Sequence, residues 1–435
     1  MTPRLAVMEA VEKLNYRVTV ADVSAQSGLS LDIAQREVLT LATETGGNLQ
    51  VAESGEIAYK FASNFRNILL NRSFKLRVQE WLKTVWKWLF YLIRISFGIL
   101  LIVSILIVVL GIIAATIALQ NQNRDDNDDR RSSDRSYNSG GGGGFIFWGG
   151  GWWGNPFVVF DPYYYEPQQL RARDPDEMGF LESVFSFLFG DGNPNADLEE
   201  RRWRAIATVI RNHHGVVTAE QITPYLDNIG KVEEGYEDYM IPVLAKFNGY
   251  PQVSEQGTLV YSFPDLQKVA SEKKPTRVGS YLLEDLWVFS KAGSGKVALS
   301  IGLGVFYFVG ALILGSLLQN PRLAYQLTGF LGFVAAAYGF LLGYATLFLT
   351  VPLVRYFVLR GLNSQIEARN QMRLARKEQL AHPTPLLKQK LAFASHLSIA
   401  QEAIDENNLA YTTETDLNDQ EYAKMLKEME NPPKS

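Results

Sequence analysis

Few residues in this sequence have the types and spacing that a catalytic, nucleotide-binding or metal-binding site requires. The clearest candidate is the GSGK stretch at Gly293–Lys296, which resembles half of a phosphate-binding loop. It lacks the first glycine of that motif, and Val297 stands where Ser or Thr would hold magnesium. We therefore predict no nucleotide site here.

Histidine, cysteine and carboxylate residues give no stronger signal. His213 and His214 are adjacent at a predicted helix end, where interaction with the helix dipole fits better than metal binding. His382 and His396 have no partner pattern, and no pair of carboxylates lies in the apolar surroundings that would tune it. The 435 residues include no cysteine, which excludes disulfides, thiolate-bound clusters and a Cys nucleophile. The sequence predicts no enzyme, no metal site and no cofactor.

The elements around these residues are organised by membrane attachment. Ile95–Leu119 is a run of 25 uncharged residues, and at ~1.5 Å per residue it exceeds the ~30 Å hydrocarbon core. Trp81, Trp86, Trp88 and Tyr91 precede it, as is typical of an interfacial anchor. A buried core helix is the alternative. Whether residues 95–119 cross the membrane or re-enter it stays open.

Two further apolar runs predict a transmembrane hairpin over 297–354. Val297–Leu318 has 22 uncharged residues and Leu323–Val354 has 32, separated only by Gln319–Arg322. Neither run contains Asp, Glu, Lys, Arg or His, which argues against a transporter or pump. Small residues four apart predict close helix packing. These helix-packing residues are Ser300, Gly304, Ala311, Gly315, Gly339 and Gly343.

The segment 66–94 is predicted to be a basic juxtamembrane helix. It carries seven basic residues against one acid, Glu80. Basic side chains beside a span attract anionic lipid headgroups, whereas the alternative is an ordinary solvated helix face. The residues that we expect at the membrane surface are Arg66, Arg72, Lys75, Arg77, Lys83, Lys87 and Arg94.

An internal repeat predicts two similar domains, at 1–65 and 195–266. Val51–Phe61 aligns without gaps to Val253–Phe263, and five of the eleven positions are identical. Three predicted helices followed by a two-stranded hairpin resemble the winged-helix fold in each copy. Pro242 falls where the third helix of the second copy should run, so we expect that helix to be kinked or restarted there. The predicted fold class is mixed, with two α+β winged-helix-like domains joined to α-helical transmembrane segments.

The charges of these domains indicate protein contact rather than DNA binding. The first copy has eight acids and five bases, net −3, and the second has eleven acids and six bases, net −5. Winged helices that bind DNA use the third helix, and phosphate contacts supply most non-specific affinity. The third-helix region of the second copy carries four acids and no base. Nucleic acid is therefore not an expected partner.

The remaining segments connect and extend these parts. Residues 120–179 form a linker that is rich in Asp, Ser, Gly and aromatic residues. Residues 180–190 predict a short interfacial or re-entrant helix, with packing against the second winged helix as the alternative. Residues 355–435 predict a polar helical tail.

Charge and span count disagree about topology. Lys and Arg concentrate before the first run, before Val297 and after Val354, which places the second winged helix and the tail on the cytoplasmic or stromal side. A single crossing at 95–119 would put the two repeats on opposite faces. The side of the first repeat stays open at this level.

The segment Phe180–Asn195, with DPYYYEP before it and the winged-helix segment after it, resembles a family of uncharacterised membrane proteins from cyanobacteria and chloroplasts. Some members carry an iron–sulfur cluster biosynthesis label. We do not extend that label to this chain, because a chain without cysteine cannot bind a cluster through thiolates. The resemblance implies a thylakoid or plasma membrane. We expect a membrane-anchored adaptor, or an assembly factor, that binds lipids and other membrane proteins. A membrane-tethered transcription regulator is the alternative.

Overall fold

The computed structural model describes residues 2–72, 74–125, 178–227, 229, 237–270, 277–323, 325, 327–398, 402–404, 409–416, 419–422 and 425. The fold is mixed and mostly helical, with small antiparallel sheets and three long apolar helices. The chain divides into two compact units. Unit 1 comprises Met1–Trp86, Gly192–Trp287 and Arg360–Ser435, and unit 2 comprises Lys87–Asp191 and Val288–Leu359.

The first repeat lies in unit 1 and begins the chain. Thr19 caps its second helix, because the Asp22 backbone N–H donates to the Thr19 hydroxyl over 3.1 Å. Gly28 ends that helix in the left-handed region, at a φ of 74°. The elements are α1 (Pro3–Lys13), β1 (Arg17–Thr19), α2 (Val20–Ser27), α3 (Leu31–Thr45), β2 (Asn48–Ala52) and β3 (Ile57–Lys60).

The first repeat also includes the beginning of the segment that we expected to be juxtamembrane. Helix α4 (Phe65–Arg72) follows the hairpin, and Phe65 and Leu69 are fully buried in the core of the repeat. The folded part of the first repeat therefore extends beyond residue 65. Helix α5 (Phe74–Asp125) then continues for 52 residues and has residues in both units.

The second repeat has the same order of elements, also in unit 1. Pro242 stands in the first turn of its third helix, so the helix restarts there, as the proline predicts. A short 3₁₀ turn at Asp238–Met240 precedes it. The elements are α7 (Leu198–Asn212), β4 (Val216–Val217), α8 (Ala219–Ile222), α9 (Ile241–Phe247), β5 (Tyr250–Val253) and β6 (Leu259–Ser262). Helix α6 (Phe180–Phe189) comes before them and belongs to unit 2.

The end of the chain folds back onto both repeats and is not purely helical. Helix α12 (Pro385–Leu397) lies on the sheet of the second repeat, where Phe393, Ala394 and Leu397 contact Val216 and Val260. Strand β8 (Glu402–Ala403) pairs in parallel with β7 (Lys268–Val269). Strand β9 (Leu409–Thr412) pairs with β2, which extends the sheet of the first repeat to the order β1-β3-β2-β9.

Unit 2 is built from apolar helices. The helices long and apolar enough to cross a membrane cover Trp81–Gln120, Ser294–Leu318 (α10) and Gly329–Ala381 (α11). Helix α11 starts six residues later than the apolar run at Leu323, so the connection after α10 is longer than the four residues that we expected. It passes Pro352 without ending and has residues in both units.

Helix α6 packs inside unit 2 and not on the second repeat. Leu181 contacts Gly98 of α5, where an added Cβ would lie 2.7 Å from the Leu181 Cα. Val184 and Phe187 are buried with Tyr307 and Phe348 in the core of the bundle. Its ten residues are too short to cross a membrane, so α6 fills the space beside the longer helices.

Candidate functional site

The site with the most specific geometry is an extended segment, Tyr281–Trp287, which we call the strap. The strap has no regular secondary structure, and asparagine side chains bind its backbone within unit 1. Asn370 of α11 accepts a hydrogen bond from the Glu284 N–H over 3.0 Å and donates one to the Glu284 carbonyl over 2.8 Å. Both polar groups of one backbone residue are thereby satisfied by one amide.

Two other asparagines repeat this arrangement. Asn363 lies two turns before Asn370 on α11 and binds the N–H and carbonyl of Trp287 over 2.8 and 2.9 Å. Asn195, just before α7, binds both groups of Asp285 over 2.8 Å each. The seven-residue spacing of Asn363 and Asn370 puts both amides on the same face of the helix. The strap is therefore fixed to α11 and to the second repeat at consecutive points.

Beneath the strap lies a buried ion cluster. Arg373 of α11 is 1% exposed and binds Glu284 over 2.6 Å, Asp227 and the Leu282 carbonyl. Arg369 adds a second pair of bonds to Glu284, at 2.9 and 2.7 Å. The hydrogen bond from Arg369, with further help from Arg373, holds the pKa of Glu284 below its ordinary value, although burial opposes this.

A second cluster fixes the tail helix α12 to the second repeat. Lys390 binds Glu220 over 2.8 Å and Glu237 over 2.7 Å. Burial alone would lower the pKa of Lys390, but the hydrogen bonds and charges of the two carboxylates raise it. Burial, followed by a hydrogen bond to Glu237, raises the pKa of Tyr261. Burial raises the pKa of Tyr225 to about 12.

The two repeats meet at Asp22, which is 1% exposed. Its carboxylate accepts hydrogen bonds from Arg211 of α7 over 2.9 Å and from the Ala270 N–H over 2.8 Å. Gly28 permits the close approach beside it, because an added Cβ would lie 3.1 Å from the Glu200 carbonyl oxygen. The same carboxylate accepts a hydrogen bond from the Thr19 N–H over 3.3 Å at the start of α2, so Asp22 both supports the Thr19 cap and joins the repeats.

This arrangement holds segments of unit 1 together. Its strongest charges are neutralised by one another. Within the described residues, no group of three potential metal ligands is found. A shallow cavity of about 350 Å³ lies beside the strap, lined by Leu283, Leu286, Glu367, Gln371 and Leu374 among others. We therefore take the site to be a joint between the repeats, the strap and α11.

The predicted helix-packing residues divide between the two helices of the bundle. Ser300, Gly304, Ala311 and Gly315 of α10 are buried. An added Cβ on Gly304 would lie 2.6 Å from Cδ1 of Phe348, and one on Gly315 would overlap the Tyr338 hydroxyl. Gly339 and Gly343 of α11 are exposed, with nothing within 4 Å of an added Cβ, so they do not make the contact that their spacing predicts.

The reason is the face on which α11 packs. The buried residues of its part in unit 2 include Val334, Leu341, Ala345 and Phe348. Positions 339 and 343 each lie two residues from Leu341, about 200° around the helix. The four-residue spacing of Gly339 and Gly343 does not determine which face of α11 is buried, because Leu341 and Ala345 have the same spacing on the opposite face.

The predicted membrane-surface residues occupy different environments. Arg66 binds Glu12 over 2.8 Å within the first repeat, and Arg77 donates to the Leu70 carbonyl. Lys83 and Lys87 are exposed. The side chains of Arg72 and Lys75 lie outside the described residues.

Arg94 pairs with Asp191 at one end of unit 2. The same carboxylate accepts hydrogen bonds from the Ser186 hydroxyl over 2.6 Å and the Lys291 N–H over 2.8 Å. Arg94 therefore links α5 to the segment after α6 and to the segment before α10. Arg77, Lys83 and Lys87 are exposed, as a surface role requires.

The weak motifs have structural roles. His213 follows α7, and its Nδ1 lies 3.0 Å from the Val209 carbonyl oxygen, as a helix-end role predicts. Lys296 of the GSGK stretch donates to the Met178 carbonyl over 2.6 Å. Reasoning from sequence missed Asn195, Asn363, Asn370 and the burial of Arg373. For Asn363, Asn370 and Arg373, the sequence pattern that could have revealed them is their spacing of seven and three residues, which puts all three on one face of α11.

Comparison with known proteins identifies a relative. No family model matches the sequence, and no solved structure matches it. The chain is 36% identical to "Uncharacterized protein At5g03900, chloroplastic" of Arabidopsis thaliana over 436 residues. The match covers 96% of this chain and 80% of the plant protein. The expected resemblance to a chloroplast protein is therefore confirmed. The chain belongs to the family of this chloroplast protein.

Proposed function

We propose that the protein is a membrane-anchored adaptor, in which two winged-helix-like modules bind other proteins during assembly or maintenance of a photosynthetic membrane complex. One observation carries this proposal. The strap and its asparagines join the second repeat to α11, one of the helices long enough to span a membrane. A folded module joined to such a helix suits the positioning of partners at a membrane.

The order of elements supports the winged-helix assignment. Each repeat has a helix, a short strand, two helices and a hairpin, with the first strand paired to the second strand of the hairpin. The thylakoid or plasma membrane is the location that we propose. The printed name of the plant relative, which is chloroplastic, supports a photosynthetic setting.

The exposed face of α3 favours protein over DNA. This helix is the one that a DNA-binding winged helix would place in the major groove. Its exposed residues carry one acid and one base, and Leu39 near the middle is 48% exposed. The exposed residues are Asp32, Gln35, Arg36, Leu39, Thr40 and Thr43. Neutralising DNA phosphates would require several cations on this face.

Co-purification tests the proposal. The tagged full-length chain is isolated in mild detergent, beside Leu39→Glu and the control Gln35→Glu, which adds the same charge one turn away. We expect a defined set of membrane-complex subunits with the wild type and the control, and loss of that set with Leu39→Glu. Recovery of genomic DNA or RNA polymerase instead would favour the transcription regulator and overturn the adaptor.

A further inference from the structure

The outer edge of the first repeat is occupied by the chain's own tail. Strand β9 pairs with β2 in antiparallel register, with Tyr411 opposite Val51 and Thr412 opposite Gln50. The register shifts between Val51 and Ala52. Thr413 continues the contact, because its N–H donates to the Leu49 carbonyl over 3.0 Å and its hydroxyl accepts from the Leu49 N–H over 2.9 Å.

Little apolar surface holds this strand in place. Leu409 is only partly buried, against Ala52, Ala58 and the buried Ile404, and Tyr411 is 38% exposed. The ion pair of Glu414 with Lys60 has both side chains more than a third exposed. Exposed pairs contribute little to stability, and a four-residue strand forms few ladder bonds. Another strand of similar sequence could therefore replace β9.

The second repeat provides an internal comparison. In the repeat alignment, Pro251 of β5 takes the position of Leu49. Proline has no N–H, so this edge lacks the donor that Leu49 gives to Thr413. Among the described residues, no strand pairs with the outer side of β5. Only the first repeat therefore has an edge suited to this mode of binding.

We propose that the β2 edge of the first repeat is a docking site for an extended segment of a partner protein, and that β9 closes this edge until the partner displaces it. This proposal rests on the adaptor function and specifies how the first repeat would bind its partner. Addition of a strand to an exposed sheet edge is a common mode of peptide recognition.

The contacts of β9 define the chemistry of the partner segment. An apolar residue takes the place of Leu409, an aromatic residue the place of Tyr411, and a threonine the place of Thr413. An acidic residue then pairs with Lys60, as Glu414 does over 2.7 Å. The expected partner carries an extended apolar–x–aromatic–Thr–Thr–acid sequence.

A competition experiment on the full-length chain in detergent tests the proposal. The probe is a fluorescent peptide of residues 409–416, LAYTTETD, and binding is followed by anisotropy. Tyr411→Pro removes a backbone N–H within β9, so we expect it to bind the peptide at least about tenfold more tightly than the wild type. Tyr422→Ala, which truncates an exposed side chain outside the strand and keeps the backbone N–H, serves as the control and should bind like the wild type.

Equal binding by Tyr411→Pro and the wild type, or no binding by either, would overturn the proposal. A peptide with proline in place of its tyrosine should not bind, and binding by that peptide would also count against a strand site. If Tyr411→Pro does not fold, hydrogen exchange of the wild type decides. We expect the amides of β9 to exchange at least about tenfold faster than those of β3, and equal rates would contradict a displaceable strand.

These readouts separate this proposal from the adaptor function. If the peptide binds as expected but no membrane-complex subunits co-purify, the strand site stands and the adaptor role fails. If the subunits co-purify and the peptide does not bind, only the strand site fails.

Discussion

The strap is extended but has no neighbouring strand, so its backbone N–H and carbonyl groups need other hydrogen-bond partners. The side chains of Asn195, Asn363 and Asn370 are those partners. Buried backbone groups need partners, and a missing hydrogen bond is costly. A side-chain amide carries a donor and an acceptor at the spacing of a backbone residue, so one asparagine can serve both groups of Glu284, Asp285 or Trp287. Aspartate in these positions would lose the donor and face the backbone carbonyl with a negative charge.

Glu284 should make the stability of the protein depend on pH in a predictable direction. Its pKa is lowered in the folded chain from an ordinary value of 4.5, chiefly by Arg369. A lowered folded pKa means that its contribution is fully present above about pH 4.5 and is lost as the pH falls through the folded value. Glu284→Gln should therefore cost about 3 kcal/mol at pH 7, and this cost should shrink below pH 4.5.

The measurement is thermal unfolding in detergent across pH 3 to 7. Glu367→Gln is the matched control, since Glu367 is an exposed acid on α11, the helix that carries Arg369 and Arg373. We expect its unfolding curve to follow the wild type at every pH. A Glu284→Gln penalty that stays constant down to pH 3 would show that this carboxylate does not titrate as its surroundings require.

At the residue scale, sequence patterns predicted local features and missed the distant pairings. The helix restart at Pro242 depends on neighbours within four residues, and it is confirmed. Arg373 looked like one of many basic residues after the third span. Its burial depends on Asp227 and Glu284, which lie far away in sequence. No local rule connects such residues.

At the scale of elements, the tail shows how one residue at the edge of a sheet determines whether another strand can pair there. Leu49 and Pro251 hold equivalent positions in the two repeats, yet only the first edge pairs with a strand in the described chain. Proline is one of the means by which edge strands avoid pairing. The sheet of the second repeat is instead covered on its face by α12. The sequence predicted the repeats but not the strand, since Leu409–Thr412 is too short to stand out.

Helix packing in unit 2 can be tested with one substitution at two glycines. Gly304 of α10 lies against Phe348, whereas Gly339 of α11 is exposed. Gly304→Leu should overpack the interface and cost about 1–3 kcal/mol. Gly339→Leu should leave the midpoint of thermal unfolding in detergent unchanged. If both variants lost the same stability, Gly339 would have to be packed against other residues, and its exposure in this structure would be wrong.

At the scale of the whole molecule, the structure bears on the conflict between charge and span count. Both repeats belong to unit 1, where Asp22 of one contacts Arg211 of the other. A shared unit cannot lie on two faces of a membrane. Single cysteines at Ser54, Gln256 and Ser395, in the first repeat, the second repeat and α12, should therefore react with an impermeant maleimide from the same face. Labelling of Ser54 from the opposite face to Gln256 would contradict the pairing of the repeats.

The contacts inside unit 2 then fix which ends of its helices lie together. Gly310 of α10 contacts Val108 of α5, and Leu314 of α10 contacts Gly111 of α5, so the contacts advance along both helices together. Helices α5 and α10 therefore run in the same direction. Gln120, at the end of the apolar part of α5, lies on the side of the Gln319 turn, and Ser294 lies at the other end of α10, about 37 Å away at ~1.5 Å per residue.

This geometry gives a direct test of whether α5 crosses the membrane. The chain contains no native cysteine, so one cysteine at Gln120, Gln319 or Ser294 is labelled without background. We expect an impermeant maleimide added to sealed vesicles to label the Gln120 and Gln319 positions from one face, and the Ser294 position from the other. Detergent-opened vesicles, in which all three should react, are the control for accessibility. Labelling of Gln120 from the same face as Ser294 would mean that α5 enters and leaves by one face, and the parallel packing of α5 and α10 would then be wrong.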